Sequence, residues 1–194
     1  IDEQYPFYFR PSKRILDIFF VLVCIVLILP LFIIIPIVIF IQDGNSPIFK
    51  QQRIGRFGKA FNFYKFRSMA VDTPDVVSID KTQLKITPFG MLIRRTNLDE
   101  LPQILNILKG DMSWIGPRPP ISTQLILIEL RRNNESLKLK PGLTGWAQIN
   151  SYDNMTEEVK ANFDGVYAKN ISLYLDFKIM MRTFLYFTKK PPTY

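Results

Sequence analysis

The longest apolar stretch of the chain runs from Ile18 to Ile41 and contains no charged residue. A straight helix of this length would measure about 36 Å, whereas the hydrocarbon core of a bilayer is about 30 Å thick. The stretch therefore predicts a membrane helix. Pro30 divides it into two halves, and an interior proline removes a backbone donor and clashes with the preceding turn. We expect a kink or a break at Pro30.

Basic residues lie on both sides of this apolar stretch. The nearest are Arg10, Lys13 and Arg14 before it, and Lys50, Arg53 and Arg56 after it. Cytoplasmic flanks of membrane segments carry an excess of lysine and arginine, so both ends have a cytoplasmic character. The residue pattern leaves two topologies open. One is a spanning helix that tolerates its proline, and the other is a re-entrant helix that turns back at Pro30.

Alternating residues after the apolar stretch indicate a small β-hairpin. Two short strands are predicted between Ser46 and Met69, with a turn at Gly55–Gly58. Phe61 and Phe63 alternate with polar neighbours, which is typical of a strand with one buried face. The basic residues of this hairpin fit either contact with phosphate or an ordinary solvated edge.

The rest of the chain is predicted as irregular segments and helices. Proline and glycine indicate a long loop at residues 70–90, a rigid extended stretch at 112–120 and a loop at 140–150. Helices are expected within 124–140 and 170–190. The second is apolar on nearly all sides, which fits either core packing or the membrane interface.

Asp99 and Glu100 are adjacent acids in a segment that also predicts a helix. Pro102 has no N–H and is tolerated in a first turn, so the helix is expected to begin near Asp99 and to stop at Gly110. The apolar face of this helix is predicted to consist of Leu101, Ile104, Leu105 and Leu108.

The acidic pair, Asp99 and Glu100, has two interpretations. Acids in the first turn cap a helix and stabilise it by up to about 1 kcal/mol. The same positive helix end attracts phosphate, and an ionised aspartate there can ligate Mg²⁺ together with substrate phosphates. An aspartate can also attack phosphorus as a nucleophile. Both interpretations stay open on these residues alone.

Composition narrows the candidate chemistry. The 194 residues include 25 lysines and arginines, 17 acids and no histidine, which gives a net charge of +8. The lack of histidine excludes Ser-His-Asp and Cys-His nucleophile pairs and most zinc sites. The positive charge suits nucleotides, nucleic acid or an anionic membrane. The only cysteine, Cys24, is expected to be an inert apolar residue.

Cations are expected around the acidic pair, because two carboxylates alone would repel a diphosphate. Arginine makes forked contacts with phosphate that suit this purpose. The candidates are Arg94, Arg95, Arg118, Lys65 and Arg67.

Several long motifs in a fixed order resemble the monotopic phosphoglycosyl transferases, which are bacterial sugar transferases also described as polyprenyl-phosphate hexose-1-phosphate transferases. The motifs are KRILDIFF at residues 13–20, YKFRSM at 64–69, the segment from Leu92 to Pro119, and PGLTGWAQIN at 141–150. The resemblance extends from about Lys13 to Asp176.

The resemblance implies an enzyme at the cytoplasmic face of the bacterial inner membrane. Such enzymes transfer a sugar-1-phosphate from a nucleotide diphosphate sugar, expected here to be a UDP-sugar, to undecaprenyl phosphate or another polyprenol phosphate. They release a nucleoside monophosphate, require Mg²⁺ and carry out the first membrane step of surface glycan synthesis. The resemblance also implies a re-entrant helix with its break at Pro30.

Residue roles follow from the matching motifs. By resemblance, Asp99 is the nucleophile that forms a covalent aspartyl phosphosugar and the residue that ligates Mg²⁺. Glu100 is implied to be a base or a partner in the metal site. Binding of substrate phosphate is implied for Arg94, Arg118, Lys65 and Arg67. The chain departs from the family pattern at Ser151–Tyr152, where the family often has Gly-Arg.

The expected fold is an α-rich α+β protein. Residues 1–45 are predicted to form the membrane-embedded re-entrant helix and its flank. Residues 46–194 are predicted to form a cytoplasmic catalytic domain with a small β-hairpin and interfacial helices. The expected partners are a nucleotide-sugar donor, a polyprenol phosphate acceptor and membrane lipids, with no nucleic acid.

Two other functions stay open. One is a membrane-anchored binding module in which the basic hairpin holds nucleic acid or acidic lipid. The other is an enzyme that moves only the sugar and releases a nucleoside diphosphate. The released nucleotide distinguishes the two enzymes.

Overall fold

A computed structural model of the chain describes residues 11–70, 86–150 and 155–187. Most of these residues are helical, and the strands form two small sheets. The helix-rich mixture agrees with the predicted class. Most of the loop predicted at 70–90 and the departure at Ser151–Tyr152 lie outside the described residues.

Helix α1 comprises Pro11–Asp43 and continues through Pro30 and Pro36. This helix shows no break at Pro30, and the expected kink there stays a prediction. Proline removes one backbone hydrogen bond, but packing holds the helix on both sides of the proline. Val21, which precedes Pro30, is buried in a core cluster with Phe63. Ile35, which follows Pro30, is buried in a second cluster with Phe66. The re-entrant topology stays a prediction.

The outer face of α1 is a continuous exposed apolar surface. Among the described residues, α1 is the one helix that is long and apolar enough to cross a membrane. An apolar surface of this extent is rare on a soluble protein and marks a membrane or protein contact. Its large exposed side chains are Ile15, Phe19, Leu22, Val23, Val26, Leu27, Leu29, Ile33, Ile34, Ile37, Phe40 and Ile41.

The predicted hairpin is confirmed. Strands β1 (Ile48–Ile54) and β2 (Ala60–Phe66) are antiparallel, with Ile48 opposite Phe66 and Ile54 opposite Ala60. A short 3₁₀ turn at Arg56–Gly58 connects them. Phe63 and Phe66, the two buried residues of β2, lie on opposite faces of the strand and join two separate core clusters with α1 and the helices that follow.

Helix α2 (Pro88–Arg95) and helix α3 (Gln103–Lys109) lie on either side of the acidic pair. The Thr87 hydroxyl caps α2 by accepting a hydrogen bond from Gly90 N at 2.9 Å. Helix α3 ends at Gly110, as predicted, with a left-handed φ of 88°. Asn106 of α3 is fully buried and bonds to two backbone groups of β2, accepting from Tyr64 N at 3.2 Å and donating to Asn62 O at 2.7 Å.

The glycine-punctuated segment at 140–150 is ordered structure, so its prediction as a loop was wrong. Strand β3 (Ser113–Ile115) pairs in parallel with β4 (Gly142–Thr144), and helix α5 (Trp146–Asn150) follows. Glycine is needed here for close backbone approach rather than for a loop. A Cβ atom at Gly142 would lie 2.1 Å from Gly116 N.

Three further helices complete the described part of the chain: α4 (Leu125–Asn133), α6 (Glu157–Lys169) and α7 (Leu173–Phe187). Helices α4 and α7 confirm the two predicted helices over shorter ranges. One face of α7 lies in the core, where Ile179 is fully buried. Its other face exposes Leu173, Tyr174, Phe177, Met181, Phe184 and Leu185. Core packing therefore accounts for one face of α7 only.

Candidate active site

The acidic pair lies in a 3₁₀ turn, Leu98–Glu100, that precedes α3. The helix was expected to begin near Asp99, but α3 begins at Gln103 with Pro102 at its N-cap position. The buried face of α3 also differs from the expected one. Ile104 and Ile107 are its buried apolar residues, and the expected face was wrong at the exposed Leu105 and Leu108.

Capping does not explain the position of Asp99. The N-cap position of the 3₁₀ turn is Asn97, in a left-handed conformation and without a side-chain capping bond. The side chain of Asp99 is 8% exposed, and its Oδ2 lies 3.6 Å from the Nζ of Lys65. A buried carboxylate next to one cation is more typical of a site than of a solvated cap.

Glu100 lies between two cations. Lys65 Nζ donates to Glu100 Oε1 at 2.8 Å, and Arg118 Nη2 donates to the same oxygen at 2.6 Å. Lys65 is near the end of β2, and Arg118 follows β3, so two separate sheets bring these cations to the acidic pair. The structure thus brings together four residues that the sequence assigned to the site.

The two carboxyl groups have opposite pKa shifts. Burial raises the pKa of Asp99, and the adjacent Glu100 raises it further, although Lys65, Arg94 and Arg118 act in the other direction. Burial also acts to raise the pKa of Glu100, but Arg118 and Lys65 outweigh it and hold this pKa far below its usual range. Glu100 is therefore a firmly ionised partner of two cations and a weak proton acceptor.

The other two predicted phosphate-binding residues have different positions. The charge of Arg94, in the last turn of α2, is close enough to favour the ionised form of Asp99. Arg67 follows β2 and pairs instead with Asp43 at the end of α1. Arg67 also lies 3.5 Å from the carbonyl oxygen of Asn45. Arg67 therefore connects the hairpin to α1. Among the described residues it makes no contact with the acidic pair.

The segment Arg118–Pro120 is held by hydrogen bonds to three successive carbonyl oxygens. Arg131 Nη1 donates to Arg118 O at 2.8 Å, and Arg53 Nη1 donates to Pro119 O at 3.2 Å. Ile54 N donates to Pro120 O at 2.9 Å. These bonds fix the backbone that carries Arg118, while the Arg118 side chain remains 47% exposed.

A buried ion pair between α4 and α6 holds the arginine side chain that donates to Arg118 O. Arg131 of α4 donates through Nε and Nη2 to Oδ2 of Asp164 on α6, at 2.8 and 2.6 Å. The side chains of Arg131 and Asp164 are 4% and 1% exposed. The sequence reasoning missed both residues, because their pairing depends on how α4 and α6 pack.

Arg53 is a further residue at the site that the sequence reasoning treated only as a flanking charge. It lies opposite Phe61 in the hairpin register, so it shares a strand face with Phe63 and Lys65. Its guanidinium carbon lies 5.3 Å from the centroid of the Phe63 ring. The sequence predicted the hairpin but not this strand register, so the position of Arg53 at the site was missed.

The N-terminal part of α1 is anchored by polar contacts to the domain. Lys13 forms a buried ion pair with Asp176 of α7. Asp17 accepts hydrogen bonds from Ser113 Oγ at 2.9 Å and from Trp114 N at 3.0 Å. The Arg14 guanidinium donates to carbonyl oxygens at the C-terminal end of α3, where a cation is favoured by the helix dipole.

The number of carboxylates at the acidic pair limits the kind of metal site that these residues could form. In residues 11–70, 86–150 and 155–187, no cluster of three or more histidine, cysteine, aspartate or glutamate side chains could hold a metal ion. Magnesium does not require one, because it is usually bound by one or two carboxylates together with substrate phosphates and water. The single buried carboxylate of Asp99 fits that mode.

These features define a class of site: a buried acid among cations, on a domain attached to an apolar helix. Residues 8–190 match the profile of the bacterial sugar transferases. The chain therefore belongs to the bacterial sugar transferase family.

Relatives within the family are similar over most of this chain. The undecaprenyl-phosphate galactose phosphotransferase of Salmonella typhimurium is 36% identical over 90% of this chain and 40% of its own length. The UDP-glucose:undecaprenyl-phosphate glucose-1-phosphate transferase of Escherichia coli is 38% identical over 90% of this chain and 39% of its own. An uncharacterized sugar transferase of Bacillus subtilis, EpsL, is 40% identical over 75% of this chain and 72% of its own. The chain thus spans about two fifths of the first two relatives.

Proposed function

We propose that this protein transfers a sugar-1-phosphate from a UDP-sugar to undecaprenyl phosphate and releases UMP. The observation that carries the proposal is the buried carboxylate of Asp99, which lies 3.6 Å from Lys65 beside the ion-paired Glu100. The names of the Salmonella and E. coli relatives support an undecaprenyl phosphate acceptor and a hexose phosphate cargo.

The proposed reaction has two displacements at phosphorus. In the first, a carboxylate oxygen of Asp99 forms a bond to the phosphorus that carries the sugar. The bond from that phosphorus to the bridging oxygen of the diphosphate breaks, and its electron pair leaves with UMP. In the second, an oxygen of undecaprenyl phosphate attacks the same phosphorus, and the bond to Asp99 breaks to restore the carboxylate.

The cations around Asp99 are proposed to bind and orient the phosphates. Lys65, Arg94 and Arg118 favour ionised Asp99 and offset the repulsion between a carboxylate and a diphosphate. Glu100 is proposed as a positioning residue that holds Lys65 and Arg118, because its contacts at 2.8 and 2.6 Å already occupy it. We do not assign Glu100 as the base.

Magnesium is proposed to be held by Asp99 together with the substrate phosphates. A bound Mg²⁺ ion would neutralise phosphate charge and polarise the phosphoryl oxygens. The buried position of Asp99 and the lack of a larger acid cluster in the described ranges both favour a site that substrate completes.

We also propose that α1 enters the cytoplasmic leaflet of the inner membrane from one side. Its two ends both contact the same globular part, through Lys13 with Asp176 and through Asp43 with Arg67. A helix that crossed the bilayer would place one end on the far side, away from that domain. The exposed apolar face of α1 is available for lipid.

Labelling of single cysteines tests this topology. In a Cys24→Ala background, Ser12→Cys and Asn45→Cys are expected to react with an impermeant maleimide in inverted vesicles and to be protected in spheroplasts. Lys59→Cys, an exposed position in the hairpin turn, reports the side on which the domain lies. Labelling of the two helix ends from opposite sides would show a spanning helix and contradict the proposal.

The released nucleotide tests the reaction itself. UDP-glucose and UDP-galactose are supplied with undecaprenyl phosphate and Mg²⁺, and the products are separated by chromatography. We expect one UMP for each lipid-linked sugar diphosphate, and no turnover when EDTA removes the metal. Release of UDP would identify the sugar-only transferase, and salt-dependent binding without turnover would identify a binding module.

A further inference from the structure

Arg53 has an unusual environment for an arginine so close to ion pairs. Its side chain is half-buried in β1, and its Nη1 donates to the carbonyl oxygen of Pro119 at 3.2 Å. Its Nε is buried and has no hydrogen-bond partner among the described residues. A buried donor without a partner is costly, which indicates a ligand that completes the bonding.

The charges around Arg53 also indicate an anion. Burial, followed by the positive charge of Arg118, lowers the pKa of Arg53 to about 10, while Glu100 acts in the other direction. Glu100, however, already accepts hydrogen bonds from Lys65 and Arg118. The positive charges of Arg53 and Arg118 therefore repel each other, and the nearby carboxylate is already engaged by Lys65 and Arg118. An anion bound by both guanidinium groups would relieve that repulsion.

We propose that Arg53, together with Arg118, binds the phosphoryl group that stays on the nucleotide when the donor is cleaved. This inference deepens the proposed function and rests on it for the identity of the donor. Arg53 is then a substrate-binding residue that no family comparison assigns. Its contact with Pro119 places it directly beside the segment that carries Arg118.

The distribution of charges favours the departing phosphoryl group over the one that Asp99 attacks. The cations that act on Asp99 are Lys65, Arg94 and Arg118, whereas the groups that act on Arg53 are Arg118 and Glu100. Arg118 is common to both sets, and the hydrogen bond from Arg53 Nη1 to Pro119 O holds Arg53 beside the residue that follows Arg118. As the bond to the bridging oxygen breaks, negative charge develops on the departing phosphate, where two guanidinium groups would stabilise it.

UMP is the sharpest probe, because it carries only the phosphoryl group assigned to Arg53. Its affinity is measured by calorimetry on the full chain in nanodiscs. We expect Arg53→Gln to weaken UMP binding by about tenfold to a hundredfold, as for loss of a charged hydrogen bond, and Arg53→Lys to recover part of that loss. The matched control is Lys50→Gln, an exposed charge on the same strand, which is expected to leave binding unchanged.

Steady-state kinetics separate the two substrates. For Arg53→Gln we expect the KM of the UDP-sugar to rise while the KM of undecaprenyl phosphate stays within twofold. A rise confined to the acceptor KM would assign Arg53 to the acceptor phosphate and overturn the proposal. UMP binding within twofold of wild type would also overturn it. An Arg53 that only holds Pro119 would instead lower the thermal midpoint without changing UMP affinity.

The proposed function fails in a different way. It fails if wild-type protein turns over without releasing UMP, whatever Arg53 does. The Arg53 proposal is tested by UMP binding alone, which requires no turnover, and a wild-type protein that does not bind UMP contradicts it directly.

Discussion

Asp99→Asn is expected to lower sugar-phosphate transfer by at least about three orders of magnitude, because loss of a covalent nucleophile removes most of the rate enhancement. Asparagine keeps the size of the side chain but cannot form the acyl phosphate. It also removes the charge that Lys65 faces at 3.6 Å. Transfer is measured as radiolabelled sugar in the lipid fraction, with wild type and variant in the same membrane preparation.

A matched control separates the nucleophile from the general effect of removing a carboxylate. Asp111→Asn makes the same chemical change at the end of α3, where the Asp111 carboxylate accepts from Asn106 Nδ2 at 3.3 Å. We expect Asp111→Asn to retain most of the activity and both variants to keep the wild-type amount in the membrane. If Asp99→Asn retains a tenth of wild-type activity or more, Asp99 is not the nucleophile.

Asp164→Asn is expected to lower the free energy of unfolding by about 3–5 kcal/mol, the usual cost of breaking a buried ion pair from one side. The variant leaves the Arg131 guanidinium almost fully buried without its charged partner. The same guanidinium donates to Arg118 O, so transfer should fall as well. Unfolding is followed by a denaturant series on detergent-solubilised protein.

A double variant separates stability from positioning. Arg131→Met with Asp164→Leu removes both charges and fills the space with apolar groups, which often restores the stability of a buried pair. We expect this variant to recover most of the stability but to remain slow in transfer, because Arg118 O loses its donor. An Asp164→Asn variant as stable as wild type would contradict this role of the ion pair.

The local features of the fold could be predicted from local patterns. The β1–β2 hairpin followed from alternation, and the end of α3 at Gly110 followed from glycine at a helix terminus. The continuity of α1 could not be predicted this way, because it depends on contacts of Val21 and Ile35 with distant parts of the chain. The local sequence shows that Pro30 removes a helix hydrogen bond. It does not show the packing that stabilises the helix around this proline.

Glycine was an ambiguous signal. In the segment at 140–150 it indicated a loop, whereas Gly142 is in a strand whose backbone lies against Gly116. Glycine permits both turns and close backbone approach, and only the partner strand distinguishes them. The partner is far away in sequence, so the pattern around Gly142 could not reveal it.

The sequence could predict which charged residues belong to the candidate site, but it could not predict where each of them lies. Asp99, Glu100, Lys65 and Arg118 lie together as expected. Arg67 does not join them, because the strand ends one residue before it and its side chain pairs with Asp43. The contribution of Arg53 required the strand register.

The central claim is that Asp99 becomes covalently bonded to a phosphosugar. The most direct measurement is peptide mass spectrometry after incubation with UDP-sugar and Mg²⁺ but without undecaprenyl phosphate, in a preparation with proven turnover. We predict one hexose phosphate on the peptide that contains Asp99, discharged when undecaprenyl phosphate is added. An unmodified Asp99 peptide in a preparation quenched during turnover, or an adduct on a different residue, would contradict the mechanism.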